Sequence, residues 1–202
     1  MTTTENDVEF LVWESVKPED IWVMDKLILA RMMGYKCGPA GQRVPESGYY
    51  VVRPCVNGFG MGAGASVEYL EESTRHLPPG YFWCEMFEGR HLSVDYYWGQ
   101  PLYAVEGIKS SDTLTIWDKW VKVPDKVPLP KILMRFGMEY ENLNCEYIDG
   151  KLIEVHLRGN PNFKHLNKEF IPVYEGQSTE PPQGYKFVSC PELNGRIGAF
   201  IK

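Results

Sequence analysis

Residues 49–64 read YYVVRPCVNGFGMGAG and decide the fold prediction. The β-branched and aromatic residues 49–53 predict a strand. The four glycines that follow at alternate positions predict a loop, because each would forfeit side-chain burial and backbone entropy in a packed strand. Arg53 stands where the strand ends. Such an arrangement can bind an anion, because glycines let backbone N–H groups approach and arginine offers a two-pronged donor. A glycine loop packed on itself is the alternative.

Towards the N-terminus, the pattern predicts a short tail that leads into a strand around residues 8–12. Pro18 can start a helix, and apolar residues then recur at helical spacing until Gly34 ends the run. Asp25 is equally suited to be the N-cap of a second, shorter helix. Residues 35–48 are rich in glycine and proline and predict a loop.

Towards the C-terminus, strands predominate. Order resumes over 67–72, strands are predicted at 81–87, 92–98, 101–105 and within 114–123, a short helix over 129–138, a hairpin of 144–148 and 152–157, and closing strands at 170–174, 185–189 and 197–201. The strands from 81 to 105 are expected to be antiparallel neighbours joined by short turns, and 170–174 is expected to pair with 185–189. Because helices do not alternate with every strand, the fold class is α+β. We expect one domain over residues 1–202, with approximate lobes 1–84 and 85–202.

Composition excludes several function classes. The 202 residues carry a net charge of −6 with no block of like charges, which disfavours binding to nucleic acid or to a membrane surface. No stretch approaches the roughly 18 apolar residues of a membrane helix, and the N-terminus lacks a signal-peptide pattern. Five unpaired-looking cysteines favour reduced thiols, so we expect a cytoplasmic protein.

A second constellation is Glu85-Met86-Phe87, at the end of a predicted strand. Backbone hydrogen-bonding groups beside apolar side chains suit a flat purine with polar edges. A strand followed by an ordinary turn is the alternative.

The third constellation is the row Glu154, His156 and Arg158, which one face of a strand would present together. A carboxylate, an imidazole and a guanidinium in a row are costly to bury unless they meet an ion or a highly charged ligand, such as a nucleoside triphosphate with Mg²⁺. An exposed charged strand face is the alternative. Glu146 joins this face only if the Asp149-Gly150 connection is a three-residue loop, because a two-residue type I′ turn gives the other parity.

The order of these three constellations resembles that of the ATP-grasp superfamily over roughly residues 25–161. The resemblance implies two small antiparallel-sheet lobes with flanking helices that enclose a nucleotide cleft. It also implies ATP and Mg²⁺ as cofactors. Asp25-Lys26 and the helix after them match the segment before the family's first phosphate-binding strand. The compact form is similar to small ATP-grasp-like proteins of tailed phages, which would place the protein in the host cytoplasm.

The resemblance also assigns roles to single residues. Arg53 takes the place of the family's phosphate-binding lysine, and Arg158 matches a later basic position, so both are implied catalytic residues. Implied nucleotide-binding residues are Arg53, Gly58, Gly60, Gly62, Gly64, Glu85, Met86, Phe87 and His91, the last in place of an acidic residue that grips the ribose. Implied metal ligands are Glu146, Glu154 and His156, and His156 stands where the family has asparagine.

The resemblance implies one of three functions. The first is an ATP-dependent ligase that joins a small-molecule carboxylate to an amine or thiol through an acyl phosphate. The second is a degenerate module that binds a nucleotide or a partner protein without chemistry, which the substitutions at His91 and His156 favour. The third is an interaction protein that has kept the fold and lost the site.

Overall fold

The computed structural model describes residues 8–56, 62–163, 166–192 and 195–202. The helices are α1 (Val8–Ser15), a 3₁₀ helix (Pro18–Met24), α2 (Lys26–Met32), a second 3₁₀ helix (Lys131–Leu133) and α3 (Met134–Glu139). The strands are β1 (Cys37–Pro39), β2 (Gly48–Pro54), β3 (Ser66–Leu70), β4 (Tyr81–Glu85), β5 (His91–Tyr97), β6 (Gln100–Ile108), β7 (Lys119–Val123), β8 (Asn142–Ile148), β9 (Lys151–His156), β10 (Glu169–Tyr174), β11 (Lys186–Ser189) and β12 (Arg196–Ile201).

Two antiparallel sheets organise the described chain. A four-stranded sheet has the order β1-β4-β2-β3, and an eight-stranded sheet has the order β11-β12-β10-β7-β6-β5-β8-β9. Every strand pair is antiparallel. The predicted α+β class with two antiparallel sheets and few helices is confirmed.

The largest core lies beside the central strands of the eight-stranded sheet. Tyr96, Leu143 and Leu152 contribute to it from the sheet, and Val23 and Leu29 contribute from the helices near the N-terminus. The four-stranded sheet has its own core around Tyr50, Val52 and Trp83. The helices before β1 therefore pack with the larger sheet, and the division into lobes at residue 85 stays a prediction.

The strand predicted around residues 8–12 is wrong, since this segment is helix α1. Val12, Trp13 and Val16 recur at helical spacing and pack against the large core. Val16 N donates to Val12 O at 2.8 Å, as helical geometry requires. Tertiary packing has outweighed the strand propensity of a short β-branched and aromatic run.

Asp25 ends the ambiguity between one helix and two. Its carboxylate accepts from Leu27 N at 2.9 Å and from Ile28 N at 3.0 Å, so α2 begins there as a separate short helix. The preceding segment, which starts at Pro18, is 3₁₀ and not α-helical.

Three further expectations about the sheets need correction. The loop predicted over 35–48 contains the edge strand β1. Strand β4 pairs with β1 and β2, whereas β5 pairs with β6 and β8, so these consecutive strands lie in different sheets. Strands β10 and β11 do not pair with each other, because β12 inserts between them. In each case the order of strands depends on contacts far apart in sequence.

Candidate functional site

A cleft of about 1270 Å³ is lined by residues from both sheets. Val51 and Arg53 contribute from β2, Glu146 contributes from β8, and Ile153 and Glu154 contribute from β9. Ligand pockets for drug-sized molecules usually measure about 300–1,000 Å³. The cleft therefore has room for a nucleotide together with a second small molecule.

Glu154 lies at the centre of a cluster of basic side chains. Its Oε2 is 3.9 Å from Lys26 Nζ and 3.9 Å from Arg53 Nη1, and its Oε1 is 3.1 Å from His156 Nε2. Burial by itself would raise the pKa of this carboxyl, but Lys26, His156 and Arg53 together hold the pKa below its ordinary value. Glu154 is therefore a buried carboxylate anion that lines the cleft.

Arg53 joins the two sheets. Its Nη2 donates to Ile153 O at 2.9 Å, and its Cζ lies 5.3 Å from the centre of the Phe82 ring. Within the described residues, the buried Nε has no hydrogen-bond partner. The bond to Ile153 and the contact with Phe82 hold the guanidinium in place. Leaving the Nε donor unpaired costs about 1–3 kcal/mol, so Nε has the capacity to donate to a further acceptor.

Lys26 is a functional candidate that the sequence analysis did not single out. It is 3% exposed and lines the cleft. Its backbone N donates to Cys55 O at 2.7 Å, which ties the start of α2 to the segment after β2. A buried lysine needs an anionic partner, and Glu154 supplies one. The available signal is a charged residue directly after the Asp25 cap, followed by the apolar run Leu27-Ile28-Leu29-Ala30.

Glu146 lies on the same face as Glu154 for a reason that the sequence analysis did not foresee. Asp149 and Gly150 have φ of 47° and 77°, as a two-residue type I′ turn requires. This turn alone would give Glu146 the other parity. A register shift between Glu146 and Tyr147 adds one residue to the partner strand, so Glu146 pairs directly with Glu154.

His91 and the loop after β9 complete the described walls of the cleft. His91 Nε2 lies 3.1 Å from Glu146 Oε2, and its ring packs edge-on against Trp117 at 4.8 Å. Arg158 lines the cleft, as does Asn160, whose backbone N donates to the Asp95 carboxylate at 3.0 and 3.1 Å.

The cleft residues offer oxygen ligands that would suit Mg²⁺. Within the described ranges, no group of three or more His, Cys, Asp or Glu side chains is arranged to hold a metal ion. Mg²⁺, however, keeps several waters and commonly binds through one or two carboxylates plus substrate phosphates. Glu146 and Glu154 are direct cross-strand partners on the cleft face, with Cβ atoms about 4.5–5.5 Å apart in such pairs. The two carboxylates therefore fit a metal that a bound nucleotide would share.

Comparison with solved structures identifies the fold. An ATP-grasp superfamily protein from Archaeoglobus fulgidus superposes with a TM-score of 0.53 over 90% of this chain, at 15% sequence identity. The chain has an ATP-grasp-like fold. It spans 64% of that protein's length. The chain is also similar to an L-amino acid ligase from Bacillus licheniformis, at 12% identity over 89% of this chain and 66% of that chain, with a TM-score of 0.47. It is similar as well to a D-alanine–D-alanine ligase from Bacillus anthracis, at 13% identity over 67% of this chain and 56% of that chain, with a TM-score of 0.40.

Other comparisons add nothing to this identification. The two ligases superpose with TM-scores below 0.5, so the fold assignment rests on the Archaeoglobus fulgidus protein. No model of a protein family matches the sequence, and no curated protein matches it. A phage-type origin finds no support in these structures.

The ATP-grasp-like fold brings most of the predicted site residues together. Those that line the cleft are Arg53, Gly62, Met86, Phe87, His91, Glu146, Glu154, His156 and Arg158. Gly58 and Gly60 lie outside the described residues. Gly64 and Glu85 are not among the lining residues. An added Cβ at Gly64 would lie 2.5 Å from the Tyr81 hydroxyl, and Glu85 Oε1 accepts from Lys36 N at 2.8 Å. The roles of all these residues stay predictions.

No helix in the described part of the chain is both long enough and apolar enough to cross a membrane.

Proposed function

We propose that the protein binds ATP with Mg²⁺ in the cleft and acts as an ATP-dependent carboxylate–amine or carboxylate–thiol ligase. The observation that carries the proposal is the meeting of Arg53, from the four-stranded sheet, with Glu154, from the eight-stranded sheet, 3.9 Å apart beside Lys26 and His156. Polyphosphate needs cations and a metal needs carboxylates, and this cluster offers both in one place.

Each residue has a part in the proposed binding. Arg53 and Lys26 would contact phosphate oxygens, and Arg158, which also lines the cleft, would add a third cation. Met86 and Phe87 offer apolar walls for the base, and Phe87 is held edge-on against Tyr35 at a ring distance of 4.8 Å. Bound Mg²⁺ would neutralise phosphate charge and align the γ-phosphate. Glu146 and Glu154 are the carboxylates that would hold it.

The proposed reaction follows from phosphoryl-transfer chemistry. A substrate carboxylate oxygen attacks the γ-phosphorus, the bond from that phosphorus to the bridging oxygen breaks, and ADP leaves. The amine or thiol then attacks the acyl carbon and loses its proton, and inorganic phosphate departs. The protein's own contribution is positioning and charge neutralisation by Arg53, Lys26 and Arg158.

A thermal-shift screen over nucleotides, with and without Mg²⁺, tests the binding. ATP is expected to raise the melting temperature, and by more with Mg²⁺, because a ligand that binds only the folded state stabilises it. An unchanged melting temperature with every nucleotide would contradict the proposal. Catalysis is tested by ADP release in the presence of paired carboxylates and amines.

One observation favours a second candidate, a binding module without chemistry. His156 lies 3.1 Å from Glu154 and presents an imidazole, a poor ligand for Mg²⁺, where the resemblance implies an amide. ATP binding without ADP release across a broad panel of carboxylates, amines and thiols would support this second function over the ligase.

A further inference from the structure

The side chain of Asn144 holds a buried acceptor that nothing in the described structure satisfies. Asn144 is 1% exposed and lines the cleft. Within the described residues, its Oδ1 has no hydrogen-bond partner. Buried side-chain polar atoms in proteins are bonded in the large majority of cases, to protein groups, ordered water or ions, so this oxygen has room for a donor or a cation that the described protein atoms do not supply.

The orientation of the Asn144 amide follows from its neighbours. The Nδ2 group donates to Ser93 Oγ at 2.8 Å and to Asp95 Oδ1 at 2.7 Å. Asp95 also accepts from Tyr103 OH at 2.6 Å and from Asn160 N, so its carboxylate demands donors. Reversing the Asn144 amide would place its Oδ1 against the Asp95 carboxylate oxygen, and two acceptors cannot bond to each other. Oδ1 is therefore held on the side away from Asp95.

On the face of the sheet, the neighbours of Asn144 include the two proposed metal-binding carboxylates. Asn144 pairs directly with His156. Two residues further along β8, Glu146 pairs directly with Glu154, so both pairs lie on the same face of the sheet. The four side chains form a two-by-two patch on one face, and all four line the cleft. Amide and carboxylate oxygens are hard donors that suit Mg²⁺, whereas the imidazole in the patch does not. Its Nε2 is moreover occupied by Glu154 at 3.1 Å.

We propose that Asn144 supplies an amide oxygen ligand to Mg²⁺ beside Glu146 and Glu154, in place of the amide that the resemblance implies at position 156. The amide would lie on β8, across the strand pair from position 156, and the buried Asp95, which accepts from Tyr103 OH, anchors it. This inference rests on the proposed function, because the metal arrives with the nucleotide. It explains why a cleft with a histidine at position 156 still has three oxygen donors in one patch.

The test is the ratio of the ATP dissociation constant in EDTA to that in Mg²⁺, measured by titration calorimetry. In Asn144→Ala we expect this ratio to fall by about tenfold or more, since even outer partners of metal ligands are worth about 10–100-fold in metal affinity. Affinity in EDTA should change little. Asn142→Ala is the matched control, because Asn142 lies on the same strand outside the cleft lining and pairs with Tyr97.

A swap of the two residues keeps the test informative if Asn144→Ala does not fold. Asn144→His retains a ring N–H for Asp95 but lacks the oxygen, so its ratio should also fall. Adding His156→Asn returns an amide to the patch and should restore the ratio. Near-ultraviolet circular dichroism checks that each variant is folded.

The outcomes separate this inference from the proposed function. Absence of ATP binding by the wild type, or a wild-type ratio of one, would overturn both. A wild-type ratio well above one that is unchanged in Asn144→Ala and Asn144→His would overturn only the role of Asn144. Its Oδ1 would then hold no more than a buried water.

Discussion

At the scale of single residues, the site depends on balancing one buried carboxylate with several cations. Glu154 has a salt-bridge distance of 3.9 Å to each of Lys26 and Arg53 and a contact of 3.1 Å to His156. A buried charge without a partner destabilises the folded state, because it has lost its hydration. The cations and the carboxylate therefore hold one another in position.

Lys26 gives the first prediction. Lys26→Met should weaken ATP binding in Mg²⁺ by about tenfold or more, because a hydrogen bond to a charged group is worth about 1.5–3 kcal/mol. Titration calorimetry measures the effect. Lys36→Met is the control, since Lys36 is more than half exposed and pairs with Glu46 outside the cleft lining. Equal ATP affinities for the Lys26 variant and the wild type would exclude Lys26 from the phosphate site.

At the scale of elements, the hairpin of β8 and β9 shows what a sequence can and cannot predict. Asp149-Gly150 between two apolar-rich runs predicts the hairpin, and the structure has it. The extra residue that returns Glu146 to the face of Glu154 has no signature of its own. It depends on the packing of Leu152 and Tyr147 in the core. Glu154 and His156 lie on one face of β9 as the alternation predicts, but β9 ends at His156, so Arg158 follows the strand and is not part of that face. The strand that pairs with this face could not be predicted without the register.

Gly150 gives a prediction for this hairpin. Its φ of 77° lies in the left-handed region, so Gly150→Ala should cost about 1 kcal/mol of unfolding free energy. Gly48→Ala is the control, because Gly48 lacks a positive φ and an added Cβ would lie 3.9 Å from the Tyr50 ring, an ordinary contact distance. Urea denaturation compares the two variants. Equal stabilities would mean that the turn does not constrain the pairing.

The elements near the N-terminus were the least predictable, because their structure depends on distant partners. The buried Asp20, in the first 3₁₀ helix, accepts from Tyr140 OH at 2.7 Å and forms an ion pair with Arg135. Both partners lie more than a hundred residues away in sequence. Likewise Lys36 N, next to the unpredicted edge strand β1, holds the carboxylate of Glu85.

Asp20 gives a prediction with a pH dependence. Burial would raise the pKa of Asp20, but bonds from Tyr140 and Arg135 bring it below its ordinary value. Its contribution is therefore present above the unfolded pKa of about 3.9 and is lost as the pH falls through that value towards the lower folded pKa. Asp20→Asn should lower the free energy of unfolding by about 2 kcal/mol at pH 7. The difference in unfolding free energy between this variant and the wild type should become smaller below about pH 4.

Urea denaturation across this pH range measures the gap, with Glu19→Gln as a control on the neighbouring carboxylate. A gap that stays constant as the pH falls would show that Asp20 stabilises the protein by other means than its charge.

At the scale of the whole molecule, two sheets of different size meet along one cleft. Arg53 and Glu154 lie a hundred residues apart in sequence, yet the Arg53 guanidinium donates to the backbone of Ile153 and approaches the Glu154 carboxylate. The sequence order of the three constellations predicted the fold, which the superposition on the Archaeoglobus fulgidus protein shows. Helix α2 packs against β9, so Lys26 enters the same cleft from a third element.

The most direct test of the account is a calorimetric titration of ATP, in Mg²⁺, into the wild-type protein and into Arg53→Met. The account predicts one nucleotide per chain for the wild type and about 10–100-fold weaker binding for the variant, since the lost charge-assisted bonds are worth about 1.5–3 kcal/mol. No binding by the wild type, or equal affinity in Arg53→Met, would contradict it.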